Sequence, residues 1–459
     1  MGSRRSHDRA TSIAGNLLLL LTALGSPAAA LAADSPAPPA EAEPAPDWYS
    51  FHFAGTVATQ AHPSFPTVPY SLPLLTMPIS LSSSAEAATS EVLDLFAAAR
   101  LWLGAEVCFQ PELAGGLGLS STEGIADFPS GEVYRVGSPT PTAIVGRAYL
   151  RQTFGLGGGK ALVENSPCEV AGSHDRNLLT LTLGRINGPD QFDNNPVSND
   201  PHMRFTNWGM WASAAYDYAA DTRGYTYGLT ADLTMNWWSV RAGLLLEPLY
   251  ANSMQMDYDP IRSHSLVVEG EGRYSFAGRP GAARLLLFLN VAPMGSYEEA
   301  IAADEQVPLT RQYGRQKYGF AASANQDFGH GLSGFARVGA DDGATETWAF
   351  TEVDRSLAIG VVQSGERWRR PADALGVAAL GSLLSPQHRA YLAAGHVGYI
   401  IGDGELVHYG PELVGEIFYE AQLLPWFAMG ADYQPVINPA YNRDRGPVHV
   451  FMLRATVAF

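Results

Sequence analysis

A period-two alternation through the last fifty residues constrains this chain more than any other feature. Leu413, Ile417, Tyr419, Ala421 and Leu423 fall on one parity, and Glu412, Glu416, Glu420 and Gln422 on the other. The closing segment repeats the pattern, with Phe451, Leu453, Ala455, Val457 and Phe459 against Met452, Arg454, Thr456 and Ala458. A period of two is the signature of a β-strand. A strand apolar on one side and charged on the other suits a wall between lipid and water.

The same two-faced pattern recurs upstream. Val145, Arg147, Tyr149, Arg151 and Thr153 oppose Ile144, Gly146, Ala148 and Leu150. Thr226, Gly228, Thr230 and Asp232 oppose Tyr225, Tyr227, Leu229, Ala231 and Leu233. Arg241 and Glu247 oppose Val240, Ala242, Leu244 and Leu246, while Glu269, Glu271 and Arg273 oppose Leu266, Val268 and Tyr274. Ser323, Asn325 and Asp327 oppose Tyr318, Phe320 and Ala322, and Glu352 and Asp354 oppose Val353, Leu357 and Ile359. One residue misfits: Arg185 shares parity with Leu179, Leu181 and Leu183, which suggests a bulge at Gly184 or a strand end there. The count is about sixteen segments, each about ten residues long, and bacterial barrels prefer an even number.

A soluble β-sandwich also alternates. Here the segments are bounded by aromatics, as at a membrane interface. Candidate girdle residues are Trp48, Tyr49, Trp237, Trp238, Trp426, Phe427 and Phe459. A lipid-facing Arg or Lys at the midplane costs roughly 2–4 kcal/mol, and nearly every strand charge falls on the polar parity. The expected fold is all-β, a transmembrane antiparallel β-barrel of about 16 strands, of the outer-membrane porin type.

The N-terminus agrees with export. Arg4, Arg5 and Arg9 precede an apolar stretch from Ile13 to Leu24, and Ala30-Leu31-Ala32 offers an A-x-A cleavage site. Residues 1–32 read as a secretory signal peptide cleaved after Ala32. The arginine pair lacks the rest of a twin-arginine pattern, so general secretion is expected. Residues 33–47, rich in Pro, Ala and Glu, read as a flexible periplasmic tail. Residues 48–459 are left for the barrel and its inward-folded loops. The longest purely apolar runs, such as Leu285 to Leu289, fall far short of the roughly 20 residues a membrane helix needs.

Only 16% of the residues are charged, where a soluble domain carries about a quarter. The mean hydropathy of -0.04 is bland, because lipid-facing and lumen-facing residues cancel. The net charge is -17; the leader contributes +2 through Arg4, Arg5, Arg9 and Asp8, so the remainder carries -19. That excludes nucleic acid as a partner, since binding it needs a basic patch. It does not select anions or cations, because charges at the constriction decide that. The two cysteines, Cys108 and Cys168, fall on an expected strand and in an expected loop. The periplasm permits a disulfide, and two unpaired thiols are the equal alternative.

Catalytic patterns fail inspection. Gly155-Leu156-Gly157-Gly158-Gly159-Lys160 resembles a phosphate loop, but its first glycine is misplaced and Ala161 stands where Ser or Thr belongs. No G-x-S-x-G is present. Ser265 and His264 are adjacent, so on a strand they point to opposite faces. The His residues are scattered, with no H-E-x-x-H and no C-x-x-C, and no metal or cofactor is expected.

At this point separated motifs carry a resemblance. The segment FDNNPVSNDPHMRFTNWGMW (192–211), followed by YDYAADTRGYTYG, resembles the carbohydrate-selective porin (OprB-type) family. So do WAFTEVDRS (348–356), the YGPE that begins at Tyr409, and NPAYNRDRGPVHVF (438–451). The resemblance covers most of the chain from about Val145 to Phe459, in the family's order; residues 47–142 match less clearly. It implies a sixteen-stranded outer-membrane barrel of a Gram-negative bacterium that lets sugars diffuse passively past inward-folded loops. It also implies that Phe459 is read by the barrel-assembly machinery, with lipid and lipopolysaccharide outside. The family often has Asp-Pro-Arg-Thr-Gln-Phe-Met-Asn-Trp, where this chain reads Asp200-Pro201-His202-Met203-Arg204-Phe205-Thr206-Asn207-Trp208. A positive charge is displaced by two residues, which puts the family's sugar preference in doubt.

A sugar is uncharged, dense in hydroxyls and flat on its apolar faces. A channel for it needs hydrogen-bond partners and aromatic surfaces, with binding weak enough to let go. The segment 188–211 offers Asp190, Asp193, Asn194, Asn195, Asp200, Arg204, Asn207, Trp208 and Trp211. These residue types also build loops capped by their own side chains, and alone they favour that reading; the resemblance shifts it toward an inward loop. Arg147, Arg151, Glu352, Asp354, Glu412 and Glu416 share the lumen parity, where salt bridges across the inner wall are the equal alternative. The expected function is an outer-membrane porin for mono- or small oligosaccharides and not an enzyme. The alternatives are a general diffusion porin, a barrel enzyme or an adhesion barrel.

Overall fold

In the computed structural model the alternating segments become an antiparallel wall that closes on itself. The structure describes residues 47–68, 79–131 and 138–459. The expected signal peptide (1–32) and tail (33–47) lie outside the described residues, apart from Asp47. Strands β1 (Tyr49–His62), β2 (Glu86–Trp102), β3 (Ala105–Gly116) and β4 (Ser138–Gly155) open the wall. β5 (Lys160–Val163) and β6 (Gly172–Asp175) pair with each other as a separate hairpin. The wall resumes with β7 (Leu178–Asn187), β8 (Tyr225–Thr234), β9 (Trp238–Leu245), β10 (His264–Phe276) and β11 (Arg279–Ala292). It continues through β12 (Arg315–Gly329), β13 (Leu332–Asp341), β14 (Arg355–Ser364) and β15 (Ala374–Leu383). β16 (Glu412–Leu424), β17 (Phe427–Ile437) and β18 (Val448–Ala458) complete it. Among the described residues, every strand but β5 and β6 joins one closed barrel of 16, with β18 paired to β1 from Ala54↔Ala458 to Ala61↔Phe451. Closure leaves no unpaired sheet edge, which is what lets strands cross hydrocarbon.

The two ends of the barrel differ. Tight turns at Leu103–Gly104, Ala277–Gly278, His330–Gly331 and Pro425–Trp426 share one end with the start of β1 and the end of β18. In outer-membrane barrels the short turns face the periplasm. Trp48, Tyr49, Trp237, Trp426 and Phe459 are exposed at this end, with Trp238 and Phe427 half-buried beside them, as a girdle requires. The opposite end carries the long loops 188–224, 246–263, 293–314, 342–354, 384–411 and 438–447.

The faces follow the parity on most strands. On β18, Leu453 is 60% exposed while Arg454 is 1% exposed. On β16, Leu413, Ile417, Tyr419 and Leu423 point out, and Glu412, Glu416 and Glu420 are buried inside. Three assignments need correction. Tyr225, placed on the outward parity with Leu229, is buried and lines the lumen cavity, where its hydroxyl donates to Glu112. Val145 is 40% exposed and faces out, although Arg147 and Arg151 line the interior. The β3–β4 register slips between Gln110↔Arg147 and Pro111↔Val145, so Gly146 of β4 is the extra, bulged residue. Pro111 has no N–H to give the ladder, so a bulge forms and the face flips. Glu352, Val353 and Asp354 precede β14 and belong to the inward loop 342–354, with Val353 buried rather than in lipid.

At the misfit, β7 runs on to Asn187 and pairs with β4 and β8 without a register slip. Gly184 holds φ at +144°, where a Cβ would lie 2.4 Å from the Ala148 carbonyl oxygen. Arg185 avoids lipid by turning to Asp221 in loop 188–224, at 2.6 Å, and to the Val145 carbonyl at 2.7 Å.

The barrel is not hollow. Loop residues Trp208, Trp211, Tyr216, Tyr218, Phe350, Ile400 and Tyr441 pack with wall residues Leu245, Val267, Leu286 and Phe288 into one inner core. A second cluster seats Phe205 and Met210 against Phe335, Leu380, Val414, Phe418 and Val450 of β13–β18. Those wall residues stand on lumen parity yet are apolar. An apolar side chain facing water gains by burial, at about 25 cal/mol per Å², so this half of the wall recruits a covering loop.

Candidate functional site: the passage and its lining

The covering loop, 188–224, is fastened by charges on the wall. It opens with a short helix α1 (Gly188–Gln191), which has Pro189 in its first turn. Asn207 caps a second, α2 (Trp208–Trp211), by accepting from the Gly209 N–H at 3.2 Å. Glu416 accepts the N–H groups of Thr206 and Asn207 at 2.7 and 3.0 Å, and the Thr206 hydroxyl at 3.2 Å. Glu269 accepts the Asp193 N–H at 2.7 Å. Arg337 pairs with Asp193 and donates to the Trp211 carbonyl at 2.8 Å. Arg454 donates to the Pro201 carbonyl at 2.7 Å.

Other loops are held in the same way. Glu412 accepts N–H groups from Ala126, Asp127 and Ala440 at 3.0, 3.3 and 2.7 Å, joining loops 117–131 and 438–447 to the wall. Glu352 accepts from Ile400 and Ile401 at 2.8 and 3.0 Å, and Asp354 accepts the Ser385 N–H at 2.6 Å. Inside a barrel these backbone groups have no ladder partner, and an unmet buried N–H costs about 1–3 kcal/mol. The carboxylates satisfy the inward loops.

His388, on helix α3 (Pro386–Ala393), closes one of these clamps. Its ring lies 3.1 Å from Asp354 and stacks on Tyr297 at 4.4 Å. Burial alone would lower the imidazole and raise the carboxyl. Their attraction outweighs burial, so His388 rises from 6.5 to about 9 and Asp354 falls below 3.8. The raised histidine contributes stability fully below its unfolded value of 6.5, and loses it as pH climbs through about 9. The depressed carboxylate contributes above 3.8 and loses it as pH falls through its lower folded value. Hydrogen exchange in loop 384–411 should therefore be slowest between pH 3.8 and 6.5 after correction for intrinsic rates, and rise markedly by pH 9.5. His388→Leu should abolish that alkaline rise.

The loops leave a passage open along β2, β3 and β4. It holds a cavity of about 520 Å³, lined by Asp94, Phe96, Glu112, Arg147, Tyr149, Arg151, Asp190, Asp200, Trp208, Trp211, Tyr218, Arg223, Tyr225 and Phe350 among others. Arg147 and Asp190 form a bidentate pair at 2.6 and 2.7 Å, and Arg147 also lies over the rings of Phe96 and Tyr225. Arg151 pairs with Glu106 at 2.8 Å, and Arg223 with Glu112 at 3.2 Å. Opposite, Trp208 stacks on Phe350 at 4.6 Å, and Phe350 on Tyr218 at 4.8 Å.

Of the residues singled out in the sequence, Arg147, Arg151, Asp190, Asp200, Trp208 and Trp211 meet at this cavity. Asp193, Asn195, Asn207, Glu352, Asp354, Glu412 and Glu416 are buried and hold loops. Asn194 is exposed and Arg204 half-buried, and neither lines the cavity. Sequence reasoning passed over Phe96, Glu112 and Phe350 as lining residues and placed Tyr225 on the outward face. Tyr149, between Arg147 and Arg151 on one parity, was readable; Phe350 was not, because its place depends on how two loops meet.

A closed sixteen-stranded barrel, narrowed by inward loops around a cavity against one wall, defines an outer-membrane porin of a Gram-negative bacterium. The chain belongs to the carbohydrate-selective porin, OprB, family, whose model matches residues 80–459. Its fold is similar to the high-pH structure of Pseudomonas putida OprB, with a TM-score of 0.69 and 16% identity over 90% of this chain and 94% of that one. It is 23% identical over 284 residues to porin AaxA of Chlamydia abortus, covering 61% of this chain and 54% of that protein. The chain thus matches about half the length of that relative.

Proposed function

We propose that this porin passes mono- and small oligosaccharides into the periplasm by diffusion along the β2–β4 wall. The supporting observation is the alternation of paired charges and aromatic rings in the passage. Each of Arg147, Arg151 and Arg223 has a carboxylate partner, so the lining offers donors and acceptors side by side, as the hydroxyls of a polyol require. Tyr149 and Phe96 supply ring surface beside those charges. Arg147, Arg151, Asp190, Asp200 and Trp208 are the residues assigned here to the sugar path.

The test is sugar-dependent block of ion current. Asp190→Asn and Tyr149→Ala each remove a contact of about 1 kcal/mol, so each should raise the half-blocking sugar concentration about 5-fold. A double variant still blocked at the native sugar concentration would place the sugar path away from Asp190 and Tyr149.

The reading extends to biogenesis. The leader is cleaved after Ala32, and the exterior face meets lipid and lipopolysaccharide. The assembly machinery recognises the last strand through Phe459. Phe459 also helps close the seam: its N–H donates to Phe53 at 3.0 Å, the Phe53 N–H donates back at 2.8 Å, and the rings lie 5.2 Å apart. Phe459→Asp should lower the yield of heat-modifiable barrel in the outer membrane; native yield would refute the role.

A further inference from the structure

We propose that residues 164–171, between β5 and β6, form a second constriction that enters the lumen from the periplasmic end and is clamped there by a disulfide. Periplasmic connections in barrels are short turns. The connection from β4 to β7 instead runs from 156 to 177 and folds back on the wall. Cys108 stands on the lumen parity of β3 with Glu106, Gln110 and Glu112, and is bonded to Cys168, with Cα atoms 5.1 Å apart. Both residues are buried.

Wall residues hold the rest of the segment. Arg151 donates to the Cys168 carbonyl at 2.9 Å, Ser50 to the Glu169 carbonyl at 2.7 Å, and Arg100 to the Val170 carbonyl at 3.2 Å. Pro167, Cys168 and Glu169 line the same cavity as Asp190 and Trp208. The Glu169 side chain is 44% exposed and 3.4 Å from Arg151, so it sets a charge at the exit. Hydrogen bonds alone would let such a segment swing out readily, since each adds little net stability in water. The covalent link to the wall prevents that, and the oxidising periplasm preserves the link. The passage is then bounded from both mouths, by loop 188–224 above and by this segment below. The upper size limit for a solute depends on both.

The inference rests on the channel reading but not on sugar selectivity, so ion conductance tests it separately from sugar block. Val163 pairs with Gly172, a register that a two-residue turn can close. A variant with 164–171 replaced by Asn-Gly, together with Cys108→Ser, should conduct roughly 1.5- to 2-fold more current, because pore width governs conduction. It should also admit longer oligosaccharides in liposome swelling. The native channel, already folded in a bilayer and exposed to a phosphine reductant on its periplasmic side, should move toward the same conductance. Native conductance and size limit in the replaced variant overturn the constriction. An unchanged current after verified reduction overturns the clamp.

Discussion

Arg337→Met should yield a barrel that assembles normally but conducts several-fold more current and loses sugar block. Arg337 sits on the lumen face of β13 and is buried. It pairs with Asp193 and donates to the Trp211 carbonyl at 2.8 Å and the Ser198 hydroxyl at 3.2 Å. Asp193 also accepts the Ser213 N–H at 2.6 Å, so one ion pair gathers both halves of loop 188–224. Burial already holds the Asp193 carboxyl above its ordinary range, with Arg337 the main influence pulling it down. Removing one partner of a buried pair costs about 3–5 kcal/mol. That cost falls on the loop, because the ladders of β13 with β12 and β14 do not use the Arg337 side chain. The measurement is single-channel conductance with heat-modifiability as the control for folding. Native conductance would sink the argument. Pairing Arg337→Met with Asp193→Leu removes the lone buried charge but also the acceptor of the Ser213 N–H, so it should restore the native conductance only in part.

The second large effect is expected at Glu416. Glu416→Ala orphans the Thr206 and Asn207 N–H groups, both in the buried turn before α2, while the Thr206 hydroxyl keeps the Pro129 carbonyl at 3.0 Å. At about 1–3 kcal/mol for each unmet group, the turn should leave the wall and carry Trp208 with it. Limited proteolysis between 195 and 210 in reconstituted protein should accelerate at least tenfold. Glu416→Gln keeps one acceptor oxygen and should show a smaller acceleration. Equal protection in native, Gln and Ala proteins would mean that the apolar seat of Phe205 and Met210 alone fixes the loop.

The barrel was legible because each wall position sees only lipid or lumen, and parity reports which. Leu453 and Arg454 are adjacent and take opposite environments for that reason alone. The reading failed where a neighbour strand intervened. Val145 turns outward because Gly146 bulges opposite Pro111; the glycine is a local cue, but only the pairing with β3 shows that the ladder slips there. It failed again at Glu352 and Asp354, where alternating charges imitate a strand but belong to a loop. The disulfide was open in the sequence, because neither the turn of the periplasmic segment nor its distance from Cys108 has a local signature.

The candidate site divides along the same line. Arg147, Tyr149 and Arg151 could be placed together on the lumen face, since one strand carries all three. Glu412 and Glu416 could be placed inside, but not assigned to backbone N–H groups some 286 and 210 residues away. By itself, the sequence determined the wall: its period, its two faces, its membrane and its family. Tertiary structure alone decided which inward charges meet solute and which hold loops. A carboxylate's partner inside a barrel is whatever backbone the loops deliver to it, and loop delivery depends on long-range packing that no local period encodes.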